Sequence, residues 1–217
     1  MLHPWTLSAT ILSRKPFAEG TSPLSYEECM HPELSVAQYA LLKSDAESPA
    51  NASALSVFIA NNDDQAIAEW YNNLVSPPYW VWLNSLERKT ILYTTSVDGT
   101  TFDFTGTGFI TRSVGERDAW REIFADGNCN ASLASIRKAM ADIFSGGTPP
   151  APANRTHLLA SARRAARRAE QLFAIVATGV GNNAADARGA TTNPDAMPTE
   201  GVLTYLEVAR ALRNVGV

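Results

Sequence analysis

Arg163, Arg164, Arg167 and Arg168 form two i,i+4 pairs in a chain of 217 residues. Guanidinium forks at that spacing can hold carboxylates or phosphates bidentately. Three uses fit such a cluster: a solvated face with local ion pairs, a contact to an acidic protein partner, or a contact to nucleic acid. No aromatic residues interleave with the arginines as stacking platforms for single strands. The chain as a whole carries a net charge of −4, which argues against a dedicated DNA-binding protein. The charge is unevenly spread. Residues 1–150 hold 10 basic and 17 acidic side chains, whereas residues 151–217 hold 8 arginines, no lysine and 5 acids. Arginine tolerates burial at an interface better than lysine does.

Reaction chemistry finds less footing. His3, His31 and His157 are the three histidines, and none has a second histidine, a cysteine or a paired carboxylate at metal-ligand spacing. His157 reads as a surface residue in the first turn of a helix. No G-x-S-x-G pattern marks a nucleophile elbow. Gly106-Thr107-Gly108 lacks the lysine of a phosphate loop. Gly179-x-Gly181 follows a predicted helix, not a strand, so it fails as a dinucleotide fingerprint. The adjacent pairs Asp63–Asp64 and Glu27–Glu28 read as solvated ends. The expectation is a protein that is not an enzyme and takes no cofactor or metal.

Composition is that of an ordinary soluble domain, 45% hydrophobic and 18% charged. No apolar run approaches the roughly 20 residues that span a bilayer, so no membrane partner is expected. The opening MLHPWTLSATILSRKPF has no basic region ahead of an apolar core, and no signal peptide is expected. Cys29 and Cys129 read as free thiols of a reducing compartment. Asn51-Ala-Ser53, Asn130-Ala-Ser132 and Asn154-Arg-Thr156 match the glycosylation pattern, but Asn and Ser at helix starts explain them more simply.

The elements that would carry these residues are mostly helical. Helices are predicted over 33–43, 53–60 and 63–74, the last with Ile67, Trp70, Tyr71 and Leu74 on its apolar face. Pro77 and Pro78 stop the chain, and 80–94 reads as a further helix. The stretch 97–110, rich in Gly, Thr and Phe, reads as a hairpin or an ordered loop. Ser113 and Glu116 form a capping box for a helix ending near Gly127. Another helix runs to Phe144, with Leu133, Ile136, Met140, Ile143 and Phe144 facing a core. Leu158, Ala162, Ala165, Ala169, Leu172 and Val176 recur at 4-3-4-3-4 spacing, which predicts one helix over 154–177 with the arginines flanking its seam. Residues 178–198 are almost devoid of large apolar side chains and read as a flexible arm. Thr204 and Glu207 cap a final helix with Leu206, Ala209 and Leu212 on one face. Trp70, Trp80, Trp82 and Trp120 lie on apolar faces and read as core. Trp5, in an irregular and otherwise polar stretch, reads as an anchor into a neighbouring subunit.

The resulting organisation is mainly α: a compact helical bundle with an extended C-terminal arm and terminal helix, and at most one short β-hairpin. Its parts are an irregular segment (1–30), a helical core domain (31–145), a linker (146–153), an arginine-rich helix packing on the core (154–177), and a flexible arm with a C-terminal docking helix (178–217).

The C-terminal third resembles small structural proteins of tailed bacteriophages, the head–tail adaptors. The likeness lies on Arg167, Arg168, Ala169, Glu170, Leu172, Phe173 and Ala174, then on Pro194, Glu200, Gly201, Val208 and Leu212. The stretches NASLASIRKAMADIFSG and YWVWLNSLERKTI look like earlier helices of the same pattern. The segment SVDGTTFDFTGTGF and the arm over 184–193 are longer than the pattern. The resemblance implies a virion protein made in the host cytoplasm and placed at the head–tail junction. It would form a ring under the portal and dock through its C-terminal limb. The implied partners are the portal protein, neighbouring copies of itself, nozzle-type tail proteins and packaged DNA. The implied contact residues are the four arginines with Tyr205, Leu206, Leu212 and Trp5. A capsid decoration or other tail protein, or a phage DNA-binding regulator using the arginine helix, are the alternatives.

Overall fold

The computed structural model describes residues 33–105, 109–146 and 151–213. Trp5, Cys29, His3 and His31 lie outside the described residues. Nine helices and four short strands occur among those described. The architecture is mainly α, as the periodicities predict, but its β content is not a hairpin. Strand β1 (Trp80–Trp82) pairs antiparallel with β4 (Arg163–Ala165), and β2 (Leu86–Glu87) with β3 (Asn128–Cys129). Each pair joins strands far apart in sequence.

The helices start where local chemistry starts them. In α1 (Val36–Ala46), Ser35 and Gln38 make a reciprocal capping box. The helix α2 (Ala52–Ala60) follows, and α3 (Asp64–Asn72) is capped by the Asp63 side chain at the Ala66 N–H. The expected cap at Asn61 or Asn62 is therefore one or two residues early. After the short α4 (Arg88–Tyr93), Ser113 and Glu116 open α5 (Val114–Ile123) with the predicted box. The helices α6 (Ala134–Ile143), α7 (Ala151–Ser161), α8 (Arg168–Phe173) and α9 (Tyr205–Arg213) complete the set. Thr204 and Glu207 bond reciprocally at the start of α9, as expected.

Two apolar clusters hold these elements. One is aromatic: Trp82, Phe102, Trp120, Phe124 and Phe144 pack with Leu86, Ile91, Met140 and Leu158. Phe102 stacks on Trp120 at 6.1 Å between ring centroids and meets Phe144 edge-on at 5.9 Å. The other is mostly aliphatic: Leu34, Leu42, Leu55, Ile67, Phe173, Leu203 and Val208, with Tyr71. Each fully buried side chain of this size contributes roughly 1.5–3 kcal/mol. Trp82 and Trp120 are core residues as predicted, while Trp70 and Trp80 are half-buried.

Four predicted elements are corrected. The helix over 80–94 exists only as α4. Upstream of it, the Trp82 N–H bonds the Asp195 carbonyl and the Asn84 N–H bonds the Glu200 carboxylate, so long-range acceptors replace the i−4 carbonyls. The arginine helix over 154–177 is broken after Ser161. Ala162 accepts from the Leu83 N–H, the chain becomes β4, and only 168–173 is helical again. Of the linker predicted over 146–153, residues 147–150 lie outside the described residues, and Ala151 to Ala153 already belong to α7. The arm over 178–198 is folded on the core, with Asn193, Asp195, Ala196 and Met197 buried.

Candidate interaction surface

The break after Ser161 scatters the four arginines over a strand and a helix start, and each is engaged within the chain. Arg163 sits opposite Trp82 in the β1–β4 register. It donates to the Asp98 carboxylate at 2.6 Å and to the Thr191 carbonyl at 2.6 Å. Arg164, opposite Val81, grips both oxygens of Glu170 at 2.6 and 2.7 Å and reaches Glu200 at 3.2 Å. Arg167 precedes α8, and its N–H donates to Glu170 at 2.8 Å while its guanidinium lies 3.7 Å from the same carboxylate. Arg168 lies 4.5 Å from the Trp70 ring and donates to the Trp70 carbonyl at 3.0 Å. The predicted arginine docking face therefore does not form as one helical face. These residues fasten neighbouring elements to one another.

Glu170 is the hub of this knot, with its side chain 2% exposed. Burial alone would raise its carboxyl, but the bonds and charge of Arg164 and Arg167 outweigh burial and hold it below the usual carboxylate range. Burial likewise works against the Arg164 guanidinium, and its Glu170 and Glu200 partners raise it above the ordinary arginine value. Glu200 and Gly201 join the same knot, because the Gly201 N–H lies 3.5 Å from Glu170 while Glu200 faces Arg164.

A second fastening went unread in the sequence. Arg137 is wholly buried and, among the described residues, bonds no carboxylate. Its guanidinium donates to the carbonyls of Ala131, Ser132, Thr178 and Val180 and to Asn182 Oδ1, and it lies 4.5 Å from the Trp82 ring. Burial pushes its pKa down to about 10, so it stays charged at neutral pH. The Trp82 indole N–H donates to the same Asn182 oxygen. Gly181 makes this approach possible, since a Cβ there would stand 2.7 Å from the Trp82 ring. The signal was present: Arg137 falls on the apolar side of its helix, four residues after Leu133 and three before Met140. A third fastening joins Tyr79 and Arg188 to the buried Asp195 carboxylate. Burial and the Asp195 partner push the Tyr79 phenol up to about 12.

His157 is not on the surface as expected. It is buried, with Nε2 2.7 Å from the Ile91 carbonyl and Nδ1 3.1 Å from Thr100 Oγ1. Cys129 is a buried free thiol, and burial pushes it up to about 12. No group of three or more His, Cys, Asp and Glu side chains converges as a metal site among the described residues. No helix among them is long and apolar enough to cross a membrane.

Several large apolar side chains also point outward. At the first turn of α9, Tyr205 and Leu206 are 52% and 57% exposed. Leu212 instead packs against the aliphatic cluster, and the buried face of α9 is Val208 and Ala211, not the predicted Leu206 and Ala209 stripe. Tyr93 is exposed and stacks on Phe104. No protein-family model, no curated protein and no solved structure matches the chain.

Proposed function

We propose that the protein is a structural subunit of a tailed-bacteriophage virion, a head–tail adaptor that forms a ring under the portal. The observation that carries this reading is the outward Tyr205–Leu206 turn. The opposite side of α9 is sealed by Val208 and Ala211, and ion pairs from Arg210 to Glu33 and from Arg213 to Asp64 fix its orientation. A helix held in this way presents two large side chains in a fixed geometry, as a docking element requires. The resemblance on Glu170, Glu200 and Gly201 supports the same reading, because those residues knot the limb that ends in α9. In this account the arginines shape the limb and the apolar turn meets the portal or a neighbouring copy. The ordering cost of docking is small because the limb is already folded.

Counting copies in purified particles, by quantitative peptide mass spectrometry against the major capsid protein, tests the proposal. About a dozen copies per particle would mark a closed ring at the portal vertex. Hundreds would mark lattice decoration instead, and absence from particles would contradict a virion role and return the DNA-binding regulator. In the adaptor, replacing Tyr205 and Leu206 with Ala gives folded protein that fails to enter particles.

A further inference from the structure

A groove of about 510 Å³ runs between α1, α8 and the turn at 198–199. Ala37, Leu41, Phe173, Ile175 and Pro198 line it. Leu41 is 43% exposed and Ile175 55%. The Gln38 amide bonds Thr199 at 2.7 Å, tying α1 to the strap on the far wall of the groove. Glu33 also lines the groove, and it is the first described residue, so 32 residues of chain lead to its rim.

Within those residues the run Trp5-Thr6-Leu7-Ser8-Ala9-Thr10-Ile11 alternates apolar and polar at every step. Period-two alternation gives an extended segment one apolar face, here Trp5, Leu7, Ala9 and Ile11, and one hydroxyl face. Such a face needs an apolar surface to cover it. The run would span roughly 20 Å when extended. About twenty residues then separate Ile11 from Glu33, ample to reach the groove of the same chain or of an adjacent one. A short tether raises the local concentration of the segment to about millimolar. We propose that the groove is the seat of the same chain's Trp5–Ile11 segment, with the apolar face packed on Leu41, Phe173 and Ile175 and the hydroxyl face outward. This does not rest on the adaptor reading.

Photo-cross-linking in the full-length protein tests the seat. With p-benzoylphenylalanine at position 41, irradiation should join that position to residues 5–11, as mapped by peptide mass spectrometry. A product of monomer size identifies the chain's own segment and supports the proposal, whereas one of dimer size would seat a neighbouring copy there and overturn it. Leu7→Asp, with circular dichroism as the check on folding, should cut the cross-link yield about tenfold, the loss of one buried apolar side chain. Ser8→Asp, on the hydroxyl face, should not change it. Cross-links confined to other parts of the chain, no cross-link at all, or a yield indifferent to Leu7→Asp would overturn the proposal.

Discussion

Around the aromatic cluster, the C-terminal limb is fastened by Arg137, a wholly buried cation whose bonds go to four backbone carbonyls and one side-chain amide. Around the aliphatic cluster the same limb is fastened by Arg210 and Arg213, which meet Glu33 and Asp64 within reach of water. Between the two stands the Arg164–Glu170 pair, with Glu170 buried and Arg164 partly so. The residues are of one type, but their leverage differs. A buried guanidinium that is removed leaves its acceptors without water or partner, whereas a surface pair that is removed is replaced by water. The comparison therefore predicts a gradient of stability along the limb that follows burial and not charge.

The largest effect is expected at Arg137. Arg137→Met should cost about 3–5 kcal/mol in urea unfolding followed by circular dichroism, because four carbonyls lose a charged donor and Asn182 Oδ1 keeps only the Trp82 N–H. A cost under about 1 kcal/mol would mean that water enters the cage freely. Glu170→Gln should cost about 2–3 kcal/mol, since the amide leaves Arg164 without its bidentate carboxylate. The double variant Arg164→Met with Glu170→Leu should recover part of that loss, which a double-mutant cycle would read as coupling. Acid provides a third contrast. The Glu170 carboxyl is held below its ordinary value in the folded state. Its stabilisation is therefore present above the unfolded carboxylate value of about 4.3 and is lost as pH falls through the lower folded value. The gap in urea midpoint between the parent protein and Glu170→Gln should narrow steadily below about pH 4, and a constant gap would break the assignment. The smallest effect is expected at Arg210, whose pair with Glu33 is more exposed than that of Arg213 with Asp64: Arg210→Ala should barely move the urea midpoint, and any shift should shrink further in high salt.

The parts of the fold that were legible in the sequence are those decided within one helical turn. The boxes at Ser113–Glu116 and Thr204–Glu207 needed only residues three apart. The apolar sides of α3 and α6 could be read from spacing, although Leu74 and Leu133 at their margins are exposed. What failed was decided across long separations. The 4-3-4 run through Ala162 and Ala165 satisfies a helix, but small side chains also allow a strand to press close to β1, where Ala165 lies opposite Trp80 and Arg163 opposite Trp82. The arm over 178–198 is ordered for another reason. Its order comes from polar groups satisfied inside the molecule: Asn182 bonds Asn193 and the Pro194 carbonyl, and Asp195 binds Arg188. A count of apolar residues is blind to that. The four arginines that the spacing marks as a cluster have their partners within the chain.

The central claim is that the arginines hold the limb folded on the core in the free protein, before any partner is met. Hydrogen–deuterium exchange on the full-length protein, read peptide by peptide, tests it most directly. The Asp195 and Ala196 amides bond the carbonyls of Trp80 and Ile175, so peptides covering 190–198 should be protected in the parent protein and should lose protection in Arg137→Met. Full exchange of those amides at the earliest time point in the parent protein would contradict the account.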